Sequence, residues 1–239
     1  MVKWDTLWPG GLTFAFDDGP FKPSTDTFLL GGFAAPRPRD RVCDLGAGIG
    51  LLGLLLLGRQ PSIRVTDIDI DPAACALAEE SFAQNGLTGH TVLRADLRRR
   101  QELPPAGSFD MVVSNPPYFA AGSGAVAAGQ RGAARSEVTC TLAELCGAAA
   151  YLLRSGGQLC LVYRAARLAE LMALLRAHKL EPKELQTVQK TIDTPPRLVL
   201  LRCRKDGGTG LDIRPPLLLQ KGDGSESEAL GRCYFRDRE

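Results

Sequence analysis

Two hydrophobic periods alternate along most of this chain. Short apolar runs at 41–45, 63–68, 90–94 and 109–114 have the length of strands and end at turn residues. Between them, helical patterns cover 50–58 and 72–85. A further helix is predicted over 140–153. Gly156-Gly157 then turns the chain into a strand over 158–163, and a helix over 167–178 follows. Two apolar stretches, 184–192 and 197–203, predict an antiparallel hairpin at the C-terminal end of this region. The alternation predicts an α/β fold, a mostly parallel seven-stranded sheet with helices on both faces.

The pattern changes at both ends and once in the middle. Leu12 to Phe16 alternates like a short strand before the turn signal Asp17-Asp18-Gly19, and Asp26 to Ala35 reads as a helix stopped by Pro36. Residues 1–36 are therefore read as an N-terminal hairpin or lid and helix, 37–205 as the α/β domain and 206–239 as a C-terminal extension. Residues 119–136 are mostly Ala, Gly and Ser, a length of loop that is uncommon unless functional or disordered. It follows Tyr118 directly, and a substrate-gated lid is the expectation. Apart from Leu211 to Leu219, the extension is rich in Gly, Asp and Glu, and its end is expected to fray.

Composition narrows the class. The chain has 239 residues, 44% of them hydrophobic, which is enough for one substantial core. No apolar run has membrane-spanning length, and Met1 to Asp5 lacks the apolar segment of a signal peptide, so the expected location is the cytoplasm. Lys and Arg total 29 against 27 Asp and Glu, a balance that does not by itself indicate nucleic acid. The placement of Arg37, Arg39, Arg131 and Arg135 around the candidate segments says more. Arg98-Arg99-Arg100 reads as solvated surface. The seven cysteines form no Cys-x-x-Cys pair and read as buried free thiols rather than metal ligands or disulfides. With only His90 and His178, a His-based zinc site or catalytic triad is improbable on sequence grounds, and no metal is expected.

The candidate chemistry sits at strand ends. After the run Phe109 to Val113 comes Ser114-Asn115-Pro116-Pro117-Tyr118. The Asn amide, a carbonyl on a proline-stiffened loop and an aromatic ring suit a planar amide or amino group. A Pro-rich turn closing a strand is the simpler alternative. Val42 to Gly50 is a strand running into a turn with Gly46, Gly48 and Gly50, followed by the helical run Leu51 to Leu57. Asp44, two residues before the first glycine, suits a cationic or amino group and would be unwelcome beside a pyrophosphate. Asp69, near the end of the second strand, is the best candidate for ribose hydroxyls. Asp71 before Pro72 reads as the cap of a helix running to Asn85, and Asp67 is ambiguous. Asp96 suits the amino edge of an adenine, or else a turn or cap.

These residues resemble a class I S-adenosylmethionine-dependent methyltransferase with a Rossmann-like fold. Asp44 to Gly50 matches the first motif of that superfamily, Asp69-Ile70 its ribose-binding position and Asp96-Leu97 its adenine-contacting pair. Asn115-Pro116-Pro117-Tyr118 is similar to the signature of enzymes that methylate planar nitrogen, adenine N6 or glutamine amide. Lys22 to Leu30 resembles a segment that lines the methionine end of the cofactor, with Asp26 and Thr27 at the matching positions. Phe119, then Ala134-Arg135-Ser136-Glu137, Arg164, Arg167-Leu168, Leu198 to Leu201 and Gly210 to Leu217 resemble the bacterial tRNA(Val) adenosine-37 N6-methyltransferases over nearly the whole chain. The first strand lacks the Gln often found there, and residues from Ser225 onward diverge from that family's ending.

The resemblance implies S-adenosylmethionine as cofactor and tRNA as partner; the sequence does not fix the oligomeric state, a monomer is the expectation, and neither metal nor membrane is expected. It makes Asn115, Pro116, Pro117 and Tyr118 catalytic and gives Asn115 a share in holding the cofactor. Tyr118, Phe119, Arg131 and Arg135 are expected to meet the RNA. The Asn115 side-chain oxygen and the Pro116 carbonyl would accept the two N–H groups of the amino nitrogen. Tyr118 would stack on the base, and no strong general base is needed before attack. A glutamine methyltransferase acting on a release factor is the nearest rival. A non-catalytic RNA-binding module is a rival of another class, and Asp44 and the glycine spacing disfavour a nicotinamide enzyme.

Overall fold

A computed structural model describes residues 1–17, 22–116 and 140–238. A hairpin of β1 (Lys3–Thr6) and β2 (Thr13–Phe16) precedes α1 (Thr25–Phe33). The main sheet contains β3 (Arg41–Leu45), β4 (Arg64–Asp69), β5 (His90–Arg94), β6 (Phe109–Ser114), β7 (Leu153–Arg164), β8 (Leu180–Gln189), β9 (Leu198–Lys205) and β10 (Asp212–Leu218). Its helices are α2 (Leu51–Arg59), α3 (Pro72–Gln84), α4 (Leu142–Leu152) and α5 (Leu168–Ala177), and α6 (Glu228–Cys233) follows the sheet. The strand order is β10-β8-β9-β7-β6-β3-β4-β5. β7 through β5 are parallel, and β9 runs antiparallel between β7 and β8. The expected α/β sheet and its antiparallel hairpin are both present.

The sheet has an eighth strand that the pattern did not resolve. β10 pairs in parallel with β8 and its register slips between Arg214 and Leu217, at Pro215-Pro216. Proline lacks the ladder donor, so such a strand is tolerated only at an edge, where β10 lies.

Alternating side chains divide the core. Val42, Val113 and Cys160 face α1, α2 and α3, while Cys43, Leu45, Val112 and Leu161 face α4 and α5. This is the period-2 consequence of burying both faces of a parallel sheet. Asp71 caps α3 as expected, accepting from Ala73 N (2.8 Å) and Ala74 N (3.3 Å), with Pro72 in the first turn. A capping box of Thr141 and Glu144 starts α4.

Both ends are fastened to this body. Asn85 exchanges two hydrogen bonds with the Thr13 backbone (2.9 and 2.6 Å), and Ser81 Oγ accepts from Ala15 N at 2.8 Å, so α3 holds the hairpin. Against expectation, the C-terminal end is packed through Arg238. Phe235 is 1% exposed against Trp8, and Tyr234 stacks on Phe28 of α1 at 4.1 Å. Arg59 closes the end of α6 by donating to the carbonyls of Arg232 and Cys233, both at 2.9 Å. Two aromatic contacts and a capped helix outweigh the polar composition of the segment. Among the described residues, no helix is long and apolar enough to cross a membrane.

Candidate functional site

The ends of β3, β4 and β6 meet where the sequence motifs converge. Gly46, Gly48 and Gly50 have φ of 78°, 56° and 73°, a left-handed run in which side chains with a Cβ are strained. The Gly46 and Ala47 N–H groups donate to Ile68 O (2.8 and 3.1 Å), and Gly48 N donates to Asp69 Oδ2 at 2.7 Å. β4 therefore holds the turn by its last two residues. A Cβ on Gly46 would meet nothing within 4 Å, so the turn opens onto free space there. On its inner side a Cβ at Gly50 would lie 2.8 Å from Asp67 Oδ2.

Asp44, Asp67 and Asp69 share one face of the sheet. Asp44 and Asp67 are register partners across β3 and β4, and each is 1% exposed. Asp44 Oδ2 and both Asp67 oxygens lack a hydrogen-bond partner. Burial, then the charge of Asp69, pushes the Asp44 carboxyl up to about 8. Burial, then Asp44 and Asp69, pushes Asp67 well above the usual range. Carboxyls placed this way hold protons at neutral pH unless a cation joins them. The orphaned Asp44 oxygen below an open glycine turn fits the ammonium group of S-adenosylmethionine. Asp67, ambiguous in the sequence, lies under α2 instead.

Asp69 is half-buried at the end of β4. Its oxygens accept from Gly48 N and from Asp71 N (2.9 Å), and each keeps a lone pair for a hydroxyl. Burial raises its pKa, and those backbone donors oppose the rise. Ile70 beside it is 37% exposed, a flat apolar surface at the pocket edge. Asp96 is 7% exposed and bound twice by the Arg98 guanidinium, with contacts of 2.7 to 3.1 Å, while Arg98 N donates to Oδ1 at 3.0 Å. The Arg98 hydrogen bonds hold its pKa below the usual carboxylate range. Leu97 packs against the α4–α5 core. The Arg98–Arg100 run is thus only partly free surface, since Arg99 also pairs with Glu102 at 3.1 Å.

β6 delivers Asn115. Ser114 is fully buried and its hydroxyl donates to Leu45 O at 2.7 Å, which ties the end of β6 to the start of the glycine turn. Asn115 Nδ2 donates to Thr27 Oγ1 at 2.9 Å and approaches Ser24 Oγ at 3.4 Å. Ser24 also caps α1, accepting from Thr27 N. With the NH₂ engaged by two hydroxyls, Oδ1 is the amide atom left to accept a hydrogen bond. Pro116 is buried next to it, and Asp26 is half-buried in the first turn of α1.

The structure thus gathers Asp26, Thr27, Asp44, the three glycines, Asp69, Ile70 and Asn115 along one edge of the sheet. Sequence reading missed Ser24 as a partner of Asn115 and Ser114 as its anchor. Pro117, Tyr118, Phe119, Arg131 and Arg135, with the expected lid at 119–136, lie outside the described residues. Arg37 and Arg39 lie before β3, at the opposite edge from the turn. His90 stacks on Phe82 at 3.9 Å at the start of β5, also away from the site. All seven cysteines are free, and six are buried.

Comparison with known proteins agrees with this fold. Residues 23–179 match the methyltransferase small domain family model. A protein of Dickeya chrysanthemi named tRNA1(Val) (adenine(37)-N6)-methyltransferase is 29% identical over 95% of this chain and 94% of its own. One of the same name from Porphyromonas gingivalis is 32% identical over 80% of this chain and 77% of its own. Among solved structures, a protein of Agrobacterium tumefaciens described as a predicted O-methyltransferase superposes with a TM-score of 0.72 at 22% identity, over 88% of this chain and 95% of that one. The 16S rRNA N2 G1207 methyltransferase of T. thermophilus, solved with AdoMet and guanosine, superposes with a TM-score of 0.58 at 22% identity, over 86% of this chain and 50% of that one.

Proposed function

We propose that this chain, which belongs to the methyltransferase small domain family, methylates N6 of an adenine in tRNA, at adenosine 37 of tRNA(Val), with S-adenosylmethionine as cofactor. The observation that carries the reading is the Asn115 amide, locked by Ser24 and Thr27 beside the glycine turn with one oxygen left to accept. The names of the relatives supply the nucleic-acid class. In this reading residues 37–205 hold the cofactor, 1–36 wall its methionine end, 206–239 extend the sheet, and the chain works in the cytoplasm.

The cofactor supplies a methyl group made electrophilic by its sulfonium. Asp44 takes the ammonium, Asp26 and Thr27 line that end, and the backbone of Gly46, Gly48 and Gly50 lets it approach. Asp69 accepts from the ribose hydroxyls, while Ile70, Leu97 and Asp96 border the adenine. Asn115 Oδ1 and the Pro116 carbonyl accept the two N–H groups of the target amine. That localises the nitrogen lone pair as the centre becomes tetrahedral, an interaction strongest in the transition state. Bound there, the cofactor would supply its methyl group to that nitrogen, its sulfur keeping the electron pair of the carbon–sulfur bond, and the nitrogen would then lose a proton to water. Pro117 stiffens the loop, Tyr118 and Phe119 stack on the base, and Arg131 and Arg135 meet phosphates. Incubation with methyl-labelled cofactor and total tRNA, followed by nucleoside mass spectrometry, tests this. Label in N6-methyladenosine supports it, and label in a release-factor glutamine with none in tRNA overturns it.

A further inference from the structure

The sheet edge that carries Asn115 continues past it through β7, β9 and β8, and backbone hydrogen bonds join these ends in one line. Ala165 N donates to Arg197 O and Arg197 N to Val188 O, both at 3.0 Å, and Gln220 N donates to Lys190 O at 2.9 Å. Arg164, Arg197 and Lys190 therefore stand exposed at successive strand ends. With about 4.8 Å between strands, Arg197 is two steps and Lys190 three steps from β6, roughly 10 and 14 Å.

The segment between β8 and β9 is braced from within. Thr194 Oγ1 donates to Thr191 O at 2.8 Å and accepts from Thr191 N at 2.9 Å, and Thr194 N donates to Thr191 O at 3.1 Å. Pro195 and Pro196 stiffen the return. Ile192 is 64% exposed next to Asp193, the one acid of the segment. Neither Lys190 nor Arg197 has a carboxylate partner among the described residues. On the other side of Asn115 the edge is occupied differently, with Asp69 at the turn and Arg98 and Arg99 tied to Asp96 and Glu102.

We propose that Arg197 and Lys190 form a phosphate track for the RNA strand flanking the target adenine, with Ile192 as the apolar contact for a neighbouring base or ribose. The proposal rests on the tRNA reading above. Cations set at strand intervals on a stiff loop fit a polymer whose charge repeats along its length. A glutamine side chain on a protein makes no such demand. Arg98 and Arg99 on the Asp69 side are already tied to Asp96 and Glu102 while Lys190 and Arg197 are not, so the strand departs over β7, β9 and β8.

The test is binding of total tRNA to the full chain across a salt series, with Lys190→Gln/Arg197→Gln compared with wild type. Two lost single-strand contacts lower the slope of log K against log salt by about 1.4, and two duplex contacts by about 1.8. Cofactor affinity and melting temperature stay at wild-type values, because both side chains are exposed and outside the pocket. Ile192→Ser weakens binding without changing the slope. Unchanged affinity and slope in a double variant whose parent methylates tRNA overturn the track alone. A wild-type protein that methylates release-factor glutamine and not tRNA overturns the track together with the functional reading.

Discussion

Asn115 Nδ2 donates to Thr27 Oγ1 at 2.9 Å across 88 residues of sequence, so the first turn of α1 sets the orientation of the amide at the end of β6. Asn115→Ala should lower single-turnover methylation of tRNA by about 10²- to 10³-fold, the cost of losing one preorganised transition-state partner. Thr27→Val should cost about fivefold, for roughly 1 kcal/mol of positioning, and Thr27→Ser should recover most of it. Since Thr27 acts through Asn115, adding Thr27→Val to Asn115→Ala should cost little more. Additive losses in that double-mutant cycle would separate the two residues.

Asp69 joins the turn to the expected ribose site. Asp69→Ala removes an acceptor of two charge-assisted bonds and should weaken cofactor binding by about 2–3 kcal/mol. Asp69→Asn keeps one oxygen for Gly48 N and should lose less. Calorimetry on both variants checks this, and a full-affinity Ala variant would remove Asp69 from the cofactor site.

How the acids behave with pH follows from burial. Asp44 is pushed up to about 8 and Asp67 is raised as well, so the folded chain holds protons that the unfolded chain releases near pH 4. Stability of the cofactor-free protein should therefore fall as pH rises toward 8, by up to about 1.4 kcal/mol per pH unit for each carboxyl. His90, whose pKa burial lowers, acts in the opposite sense below about pH 6.5. The thiols, raised by burial, add a fall of the same sense as the carboxyls when pH nears the ordinary thiol range of about 8.5, which leaves about pH 6.5 to 7.5 as the window for the carboxyls. Melting temperature should drop across that window, and Asp67→Asn should flatten the drop. Cofactor binding near pH 7 should release a proton as Asp44 ionises against the ammonium. Calorimetry in buffers of different ionisation enthalpy would expose this, and buffer-independent heats would contradict it.

Much of this was legible because strand and helix periods differ and because Asp44, Asp69 and Asn115 fall at strand ends. The remainder depended on depth and docking. Asp67 and Asp69 have the same parity, so alternation puts both on one face, and only the seat of α2 separates the buried acid from the accessible one. Ser24 meets Asn115 only because α1 packs against α2 and β7. The sequence pattern did not mark β10 as a strand, and it carries Pro215-Pro216 because an edge tolerates them. The extension looked loose by composition, yet Tyr234 and Phe235 find aromatic partners on α1 and the hairpin arm.

Gly53 gives the sharpest packing test of this arrangement. It lies within α2, where Ala is ordinarily the better helix former by about 1 kcal/mol. Here an added Cβ would sit 2.8 Å from Asp67 Oδ1 and 3.0 Å from Val65 Cγ1. Neither β4 side chain has room to retreat, since Asp67 and Val65 are each 1% exposed. Gly53→Ala should therefore destabilise the fold by about 1–3 kcal/mol, the usual cost of overpacking, despite its helix propensity. In an Asp67→Ala background the carboxyl is gone and the new methyl faces vacated space. The same substitution should then cost markedly less, and urea unfolding of the four proteins measures that coupling directly. Equal costs in both backgrounds would mean that α2 does not rest on Asp67, and the burial assigned to that carboxyl would fall with it.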